Sequence, residues 1–215
     1  MRTSFHESLK ELKNHLLVMG SMVENAINNS ILALKDGDLD LARKVIEKDE
    51  RIDDFELVVE ERCTRLIALQ QPVANDLRMI IVISKIITDL ERMGDHAVNI
   101  AEKVIEIDGE ELLKPLSDIP QMANIAIKRL QGSLDAFVKM DIDLAKKVAR
   151  EDEKIDLIDK ESMGEAIAIM LEDQTKIKQA TALMFVSRFL ERIGDHATNI
   201  CERVIYMVSG YHEHY

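Results

Sequence analysis

The sequence predicts an all-α protein of two tandem, similar three-helix bundles, six long antiparallel helices in all. Three observations carry that expectation. The chain is rich in Leu, Ile, Ala, Met, Glu and Lys but has only 3 prolines, 8 glycines and 4% aromatics in 215 residues, which favours helix. Apolar residues recur every three or four positions over segments of about 30 residues, about 45 Å of helix each. One segment is also written twice. Residues 90–105 read LERMGDHAVNIAEKVI and residues 190–205 read LERIGDHATNICERVI, an offset of 100 with 4 substitutions, so the chain is an internal repeat.

The first helix shows Leu9, Leu12, Leu16, Met19, Val23, Ala26 and Ser30 on one stripe. Gly37 stops it, and Asp38 or Asp40 caps a second helix that runs to about Gln70. Gln70-Gln71-Pro72 breaks the chain, and Pro72 suits the entry of a third helix, which fades near Ile107. Asp108-Gly109, Pro115 and Pro120 punctuate the middle. The pattern then restarts with Ile119, Met122, Ala126, Arg129, Ser133 and Ala136. Residues 141–156 echo 38–53 at an offset of 103, whereas the third helix repeats at 100, so the second copy has lost three residues around the turn after Leu171. Residues 1–108 are expected to form the first bundle and 114–215 the second. With 47% hydrophobic residues there is ample material for a core.

Charge and composition narrow the function. A formal charge of −12, from 28 basic and 40 acidic residues, repels phosphate backbones and ranks nucleic-acid binding low. Cys63 and Cys201 lie far apart in helical patterns, so reduced thiols are expected. The start of the chain lacks a signal-peptide core, and aliphatic runs such as 79–83 are too short to span a bilayer. The expectation is a cytoplasmic protein able to dock at the inner face of the membrane. No phosphate-cradling glycine loop, nucleophile elbow or zinc spacing is present.

The repeated segment carries the chemistry. In each copy Glu, Asp, Asn and Glu fall within roughly 80° of one another on the helix. These are Glu91, Asp95, Asn99 and Glu102, then Glu191, Asp195, Asn199 and Glu202. Asp49 and Asp53 on the second helix, with Asp152 and Asp156 in the second half, can be aimed at the same places by bundle packing. Unpaired carboxylates on a core face lose hydration, and all-oxygen donor sets select hard cations such as Mg²⁺, Mn²⁺ or Ca²⁺, or iron where carboxylates bridge. A solvated acidic face is the competing reading for the second-helix pairs. Gly94 and Gly194 sit inside helices at a cost of about 1 kcal/mol each, which argues for close backbone approach. His96 and His196 lie about 100° from the neighbouring Asp, and an interhelical hydrogen bond is expected of them before ligation. The tail from Tyr211 to Tyr215 is expected to fray. A ferritin-like di-iron oxidase would need Glu-x-x-His on a four-helix bundle; a carboxylate-bridged metal enzyme is therefore the alternative and a non-enzymatic protein the expectation.

The duplicated unit carrying ERMGDHAVNI and ERIGDHATNI, each within a (D/E)xxxD stripe, closely resembles the PhoU family of phosphate-uptake regulators over essentially the full length. The resemblance implies a PhoU-like fold and a negative regulator of phosphate uptake and of the phosphate-starvation response. It implies an adaptor, plausibly homodimeric, between the ATPase subunit of a phosphate ABC transporter and a sensor histidine kinase. It also implies metal, most often a multinuclear iron cluster, with zinc, manganese, magnesium, nickel or calcium as other occupants. Glu91, Asp95, Glu191 and Asp195 fall on the motif, and Asp49, Asp53, Asp152 and Asp156 match the acidic pairs of the preceding helices. Asn99 and Asn199 are weaker candidates, and Glu102 and Glu202 weaker still. Glu50/Asp54 becomes Glu153/Leu157 in the second half, so the two sites are expected to differ in nuclearity.

Overall fold

A computed structural model describes residues 2–107, 113, 118–151 and 153–215. It is all helix apart from turns among those residues. Helices α1 (Arg2–Asp36), α2 (Leu39–Gln70) and α3 (Ala74–Ile107) form the first half. The second half comprises α4 (Asp118–Lys139), α5 (Ile142–Arg150), α6 (Glu153–Glu172), a 3-10 turn (Gln174–Lys176) and α7 (Ile177–Ser209). The single middle helix expected in this half is thus described as two segments on either side of residue 152. The punctuation at Asp108, Gly109 and Pro115 lies outside the described residues, while Pro120 sits in the first turn of α4, where its missing N–H costs nothing.

Local signals account for the ends of these helices. Gly37 takes φ +63° and Asp38 caps α2 by accepting a 2.9 Å bond from the Leu41 N–H. Asp141 repeats the device, accepting from the Leu144 N–H at 3.0 Å. Of the two candidate caps, Asp38 therefore does the capping and Asp40 pairs with Arg43. Gln71 closes α2 in the left-handed region at φ +46°, with Pro72 just beyond, so α3 begins at Ala74, two residues later than Pro72 suggests.

Within each half, the three helical tracts pack on one another. The halves join where α3 lies along α7 and α1 touches α4. Leu90, Met93, Ala97 and Ile100 of α3 and their partners Leu190, Ile193, Ala197 and Ile200 of α7 are each 0% exposed. They belong to one apolar core continuous through both halves. The duplicated segment is therefore central twice over: its apolar face joins the bundles, and its acidic stripe faces α2 or α6.

Candidate functional site

The two helical glycines set the geometry. A Cβ on Gly94 would stand 3.2 Å from Asp49 Oδ1 and 3.3 Å from Ile52 Cδ1; one on Gly194 would stand 3.3 Å from Ile155 Cγ2 and 2.7 Å from Arg129 Nη1. Ile52 and Ile155 are equivalent residues of the two copies. The absent side chains let α2 and α6 lie close against α3 and α7, which brings acidic residues of neighbouring helices together.

In the first half, Asp49, Asp53 and Glu56 of α2 face Glu91 and Asp95 of α3. Burial, then the charges of Asp53 and Asp95, push the Asp49 carboxyl up to about 6. Burial and Asp95 push Glu91 up to about 7, with Arg92 acting against the rise and Glu56 and Asp53 adding to it. Asp53 is exposed but is also raised, by its partial desolvation and by Asp95 and Asp54. Arg92 supplies the local cation, 3.3 Å from Glu91 and 3.2 Å from Asp95. Glu56 accepts a 2.8 Å bond from the Thr88 hydroxyl.

The second half repeats this with deeper burial. Glu191 is 8% exposed, and burial, then Asp195, push it up to about 7 against the opposing pull of Arg188. Asp159 and Asp156 of α6 add to the rise. Arg188 donates to Glu191 Oε1 at 2.6 Å and reaches Asp159 at 3.5 Å, and Asp159 also accepts from Ser187 at 2.7 Å. The other oxygen of Glu191, Oε2, is buried and has no hydrogen-bond partner. Asp195 lies at the exposed edge of this group. Asp152 lies outside the described residues. One cation of the second half has no counterpart in the first. Arg129 of α4, 1% exposed, donates to Thr198 Oγ1 beside Gly194, where the first half has Ala26.

Not every residue of the stripes joins these groups. Asn199 donates to Asp89 at 3.3 Å, on the seam between α3 and α7, and Asn99 is half-buried without a hydrogen bond among the described residues. Glu102 is exposed. Glu202 accepts from the Tyr215 N–H at 2.9 Å and lies 3.3 Å from His214. The tail expected to fray is instead folded back: His212 stacks on Tyr206 with ring centroids 4.0 Å apart, and Glu213 pairs with Lys146 at 2.8 Å.

Both histidines lie on this seam, but only His196 makes the expected interhelical hydrogen bond; the Nδ1 of His96 is buried without a partner among the described residues. His196 lies 3.1 Å from Asp89, which is 4% exposed and also takes Arg203 Nε at 2.6 Å. At the equivalent place across the pseudo-twofold, Phe189 stands for Asp89, and His96 stacks on it with centroids 5.8 Å apart. Burial, then His196, Arg192 and Arg92, lower His96 to about 4. Half of the seam is ionic and half aromatic.

Asp89, Glu56, Asp159 and Arg129 were not among the site residues read from sequence. Glu56 and Asp159 each stand three positions after a selected Asp, on the same face, so their spacing could have found them. Asp89 gives no sequence signal, because only the crossing of α3 over α7 supplies its partners.

The donor chemistry suits a hard cation: all-oxygen carboxylates, several pushed up by burial and then by one another's charge, and one buried oxygen without a hydrogen-bond partner. Among the described residues, however, no three Asp, Glu, His or Cys side chains converge closely enough to hold a metal ion together. The fit is therefore one of charge and ligand type. The carboxylates grouped in this way are Asp49, Asp53, Glu91 and Asp95 in the first half, and Asp156, Asp159, Glu191 and Asp195 in the second.

Comparison with known proteins agrees with this architecture. The PhoU domain family matches residues 16–104 and again 119–204. The chain is 43% identical over 210 residues to the phosphate-specific transport system accessory protein PhoU homolog of Clostridium acetobutylicum, covering 97% of this chain and 96% of that protein. It is 37% identical over 206 residues to the accessory protein PhoU of Escherichia coli, covering 96% and 86%. The crystal structure of PhoU from Pseudomonas aeruginosa superposes with a TM-score of 0.92 at 40% identity, covering 96% of this chain and 100% of that one. PhoU from Streptococcus pneumoniae, described as a phosphate transport system regulatory protein, also gives 0.92, at 33% identity over 98% and 100%. Two family matches in tandem, one on each copy of the repeat, show that the chain belongs to the PhoU family.

Proposed function

We propose that this protein is an accessory regulator of a phosphate-specific transport system, restraining phosphate uptake and the phosphate-starvation response when phosphate is plentiful. The observation that supports this best is near full-length similarity to accessory proteins of that system, spanning both copies of the motif. In this reading the protein acts without catalysis, as an adaptor between the ATPase subunit of the transporter and a sensor histidine kinase. No helix among the described residues is long and apolar enough to cross a membrane, so contact with either partner would be peripheral, at the cytoplasmic face.

The acidic clusters are read as cation sites, iron being the leading occupant. A bound cation would neutralise Glu91 and Glu191 and tie α2 to α3 and α6 to α7, stiffening each half. The histidines lie on the seam, His196 against Asp89, and not in the two acidic clusters, which leaves a Glu-x-x-His oxidase without its nitrogen ligand there. Deleting the gene and following a phosphate-regulated reporter tests the regulatory role: derepression in high phosphate is expected, and unchanged repression would reject it. Elemental analysis of untagged protein, with Glu91→Gln and Asp195→Asn alongside, tests the metal. Substoichiometric metal with unaltered melting of the variants would reject that part alone.

A further inference from the structure

The two halves differ where α1 meets α2, and the difference is coherent. In the second half the equivalent helices are pressed together: a Cβ on Gly132 would lie 2.8 Å from Val148 Cγ2, and the buried Arg129 occupies the space alongside. At the matching positions of the first half, 103 residues earlier, stand Asn29 opposite Val45, and Ala26. The amide holds the helices apart where glycine closes them, and the small Ala26 leaves empty what the arginine fills. The result is a groove of about 360 Å³ between α1 and α2.

The walls of this groove have a pattern. Met22, Ala26, Leu41, Val45 and Ile52 give it a largely apolar floor, interrupted by Asn25 and Asn29 of α1 and, at the end near Ile52, by Asp49. Lys44, Lys48 and Arg51, at i, i+4 and i+7 of α2, line one rim. All three are exposed, and none forms an ion pair among the described residues. In a chain of formal charge −12, three unpaired cations along a groove stand out against their surroundings. The second half does not repeat the rim, since Glu151 stands in place of Lys48.

We propose that this groove is a docking site for an acidic amphipathic helix of a partner protein. The groove runs along α2 from Leu41 to Ile52, about 16 Å by helical rise. It opens to solvent on one side, so its apolar residues are reachable by a side-chain stripe laid against them. A helix laid into such a groove buries residues at i, i+3/i+4 and i+7. Glutamates or aspartates on its flank then meet Lys44, Lys48 and Arg51, which sets orientation and speeds encounter. An inorganic anion would use the rim and leave the apolar floor unmatched. The inference takes the adaptor role proposed above as its setting, but direct binding reads the groove alone, so an empty groove and a silent reporter assay are separable failures.

The test uses the full-length protein and fluorescence anisotropy. The probe is a labelled helical peptide with leucines every third or fourth position and glutamates along one flank; its scrambled form and inorganic phosphate are the controls. Saturable binding of the probe is expected, weakening on going from low to high salt. Lys48→Glu, an exposed substitution by the residue of the second half, should weaken it at least about tenfold. Ala26→Arg, which transplants the arginine of the second half, should abolish it, with circular dichroism checking the fold of both variants. No saturable binding, equal binding of the scrambled peptide, or insensitivity to Lys48→Glu would overturn the proposal. So would phosphate displacing the probe at concentrations too low to act by ionic strength.

Discussion

Replacing Glu191 by glutamine should stabilise the metal-free protein at alkaline pH and do little at acid pH. Folding raises this carboxyl from an ordinary 4.5 to about 7, chiefly by burial. The native state therefore holds a proton that the unfolded chain releases in that interval. The stability due to Glu191 is full below about pH 4.5 and is lost as pH rises through about 7. At 1.36 kcal/mol per pH unit the loss is bounded at about 3 kcal/mol, and the solvent open to the Asp195 edge of the cluster reduces it to about 1–2 kcal/mol. For a chain of this size that corresponds to a melting temperature higher by about 2–8 °C for the variant at pH 8. Glutamine keeps the carbonyl that accepts from Arg188, so the contact at 2.6 Å survives. Thermal denaturation followed by circular dichroism from pH 5 to 8.5, with chelator present, measures the difference. Parallel curves for wild type and variant would refute the electrostatic account of this site. Added Fe²⁺ or Mn²⁺ should then raise the melting temperature of wild type at pH 8 more than that of the variant, since a cation takes over the neutralising role of the proton.

Three further outcomes are expected. Gly194→Ala should destabilise by about 1–2 kcal/mol in urea titration despite the better helix propensity of alanine, because the new Cβ displaces the buried Arg129 guanidinium; a gain in stability would deny the close approach of α6 and α7. Asp89→Asn should cost about 2–4 kcal/mol by the same assay, since it leaves Arg203 without its carboxylate in the seam between the halves; a cost under about 0.5 kcal/mol would mean the seam holds without it. Cys63 and Cys201 are both buried, and burial pushes each thiol up to about 12, so a thiol reagent should label neither in the native protein at pH 8 and both in denaturant.

The fold class and repeat were legible in the chain because helical periodicity and self-similarity are local properties. The stripe from Leu9 to Ser30, the cap at Asp38 and its echo at Asp141 need no tertiary contact to be recognised. Even the close approach at Gly94 and Gly194 could be read, since a glycine kept inside a helix in both copies requires a reason. What stayed hidden depended on which helix lies against which. Asn199 shares the stripe with Asp195 by spacing, yet the crossing of α3 and α7 gives it to Asp89. Asp159 shares a face with Asp156 by spacing, but only the packing of α6 on α7 sets it beside Ser187 and Arg188.

By itself, then, the sequence determined the helices, their order, their duplication and the acid-bearing faces, all written in intervals of three and four residues. Only the tertiary structure decided how unequal the copies are. Ala26 and Arg129, or Asn29 and Gly132, are single-letter differences whose meaning is the distance between two helices. That distance, set by side-chain volume at the contact, separates an open groove in one half from a filled and bonded interface in the other.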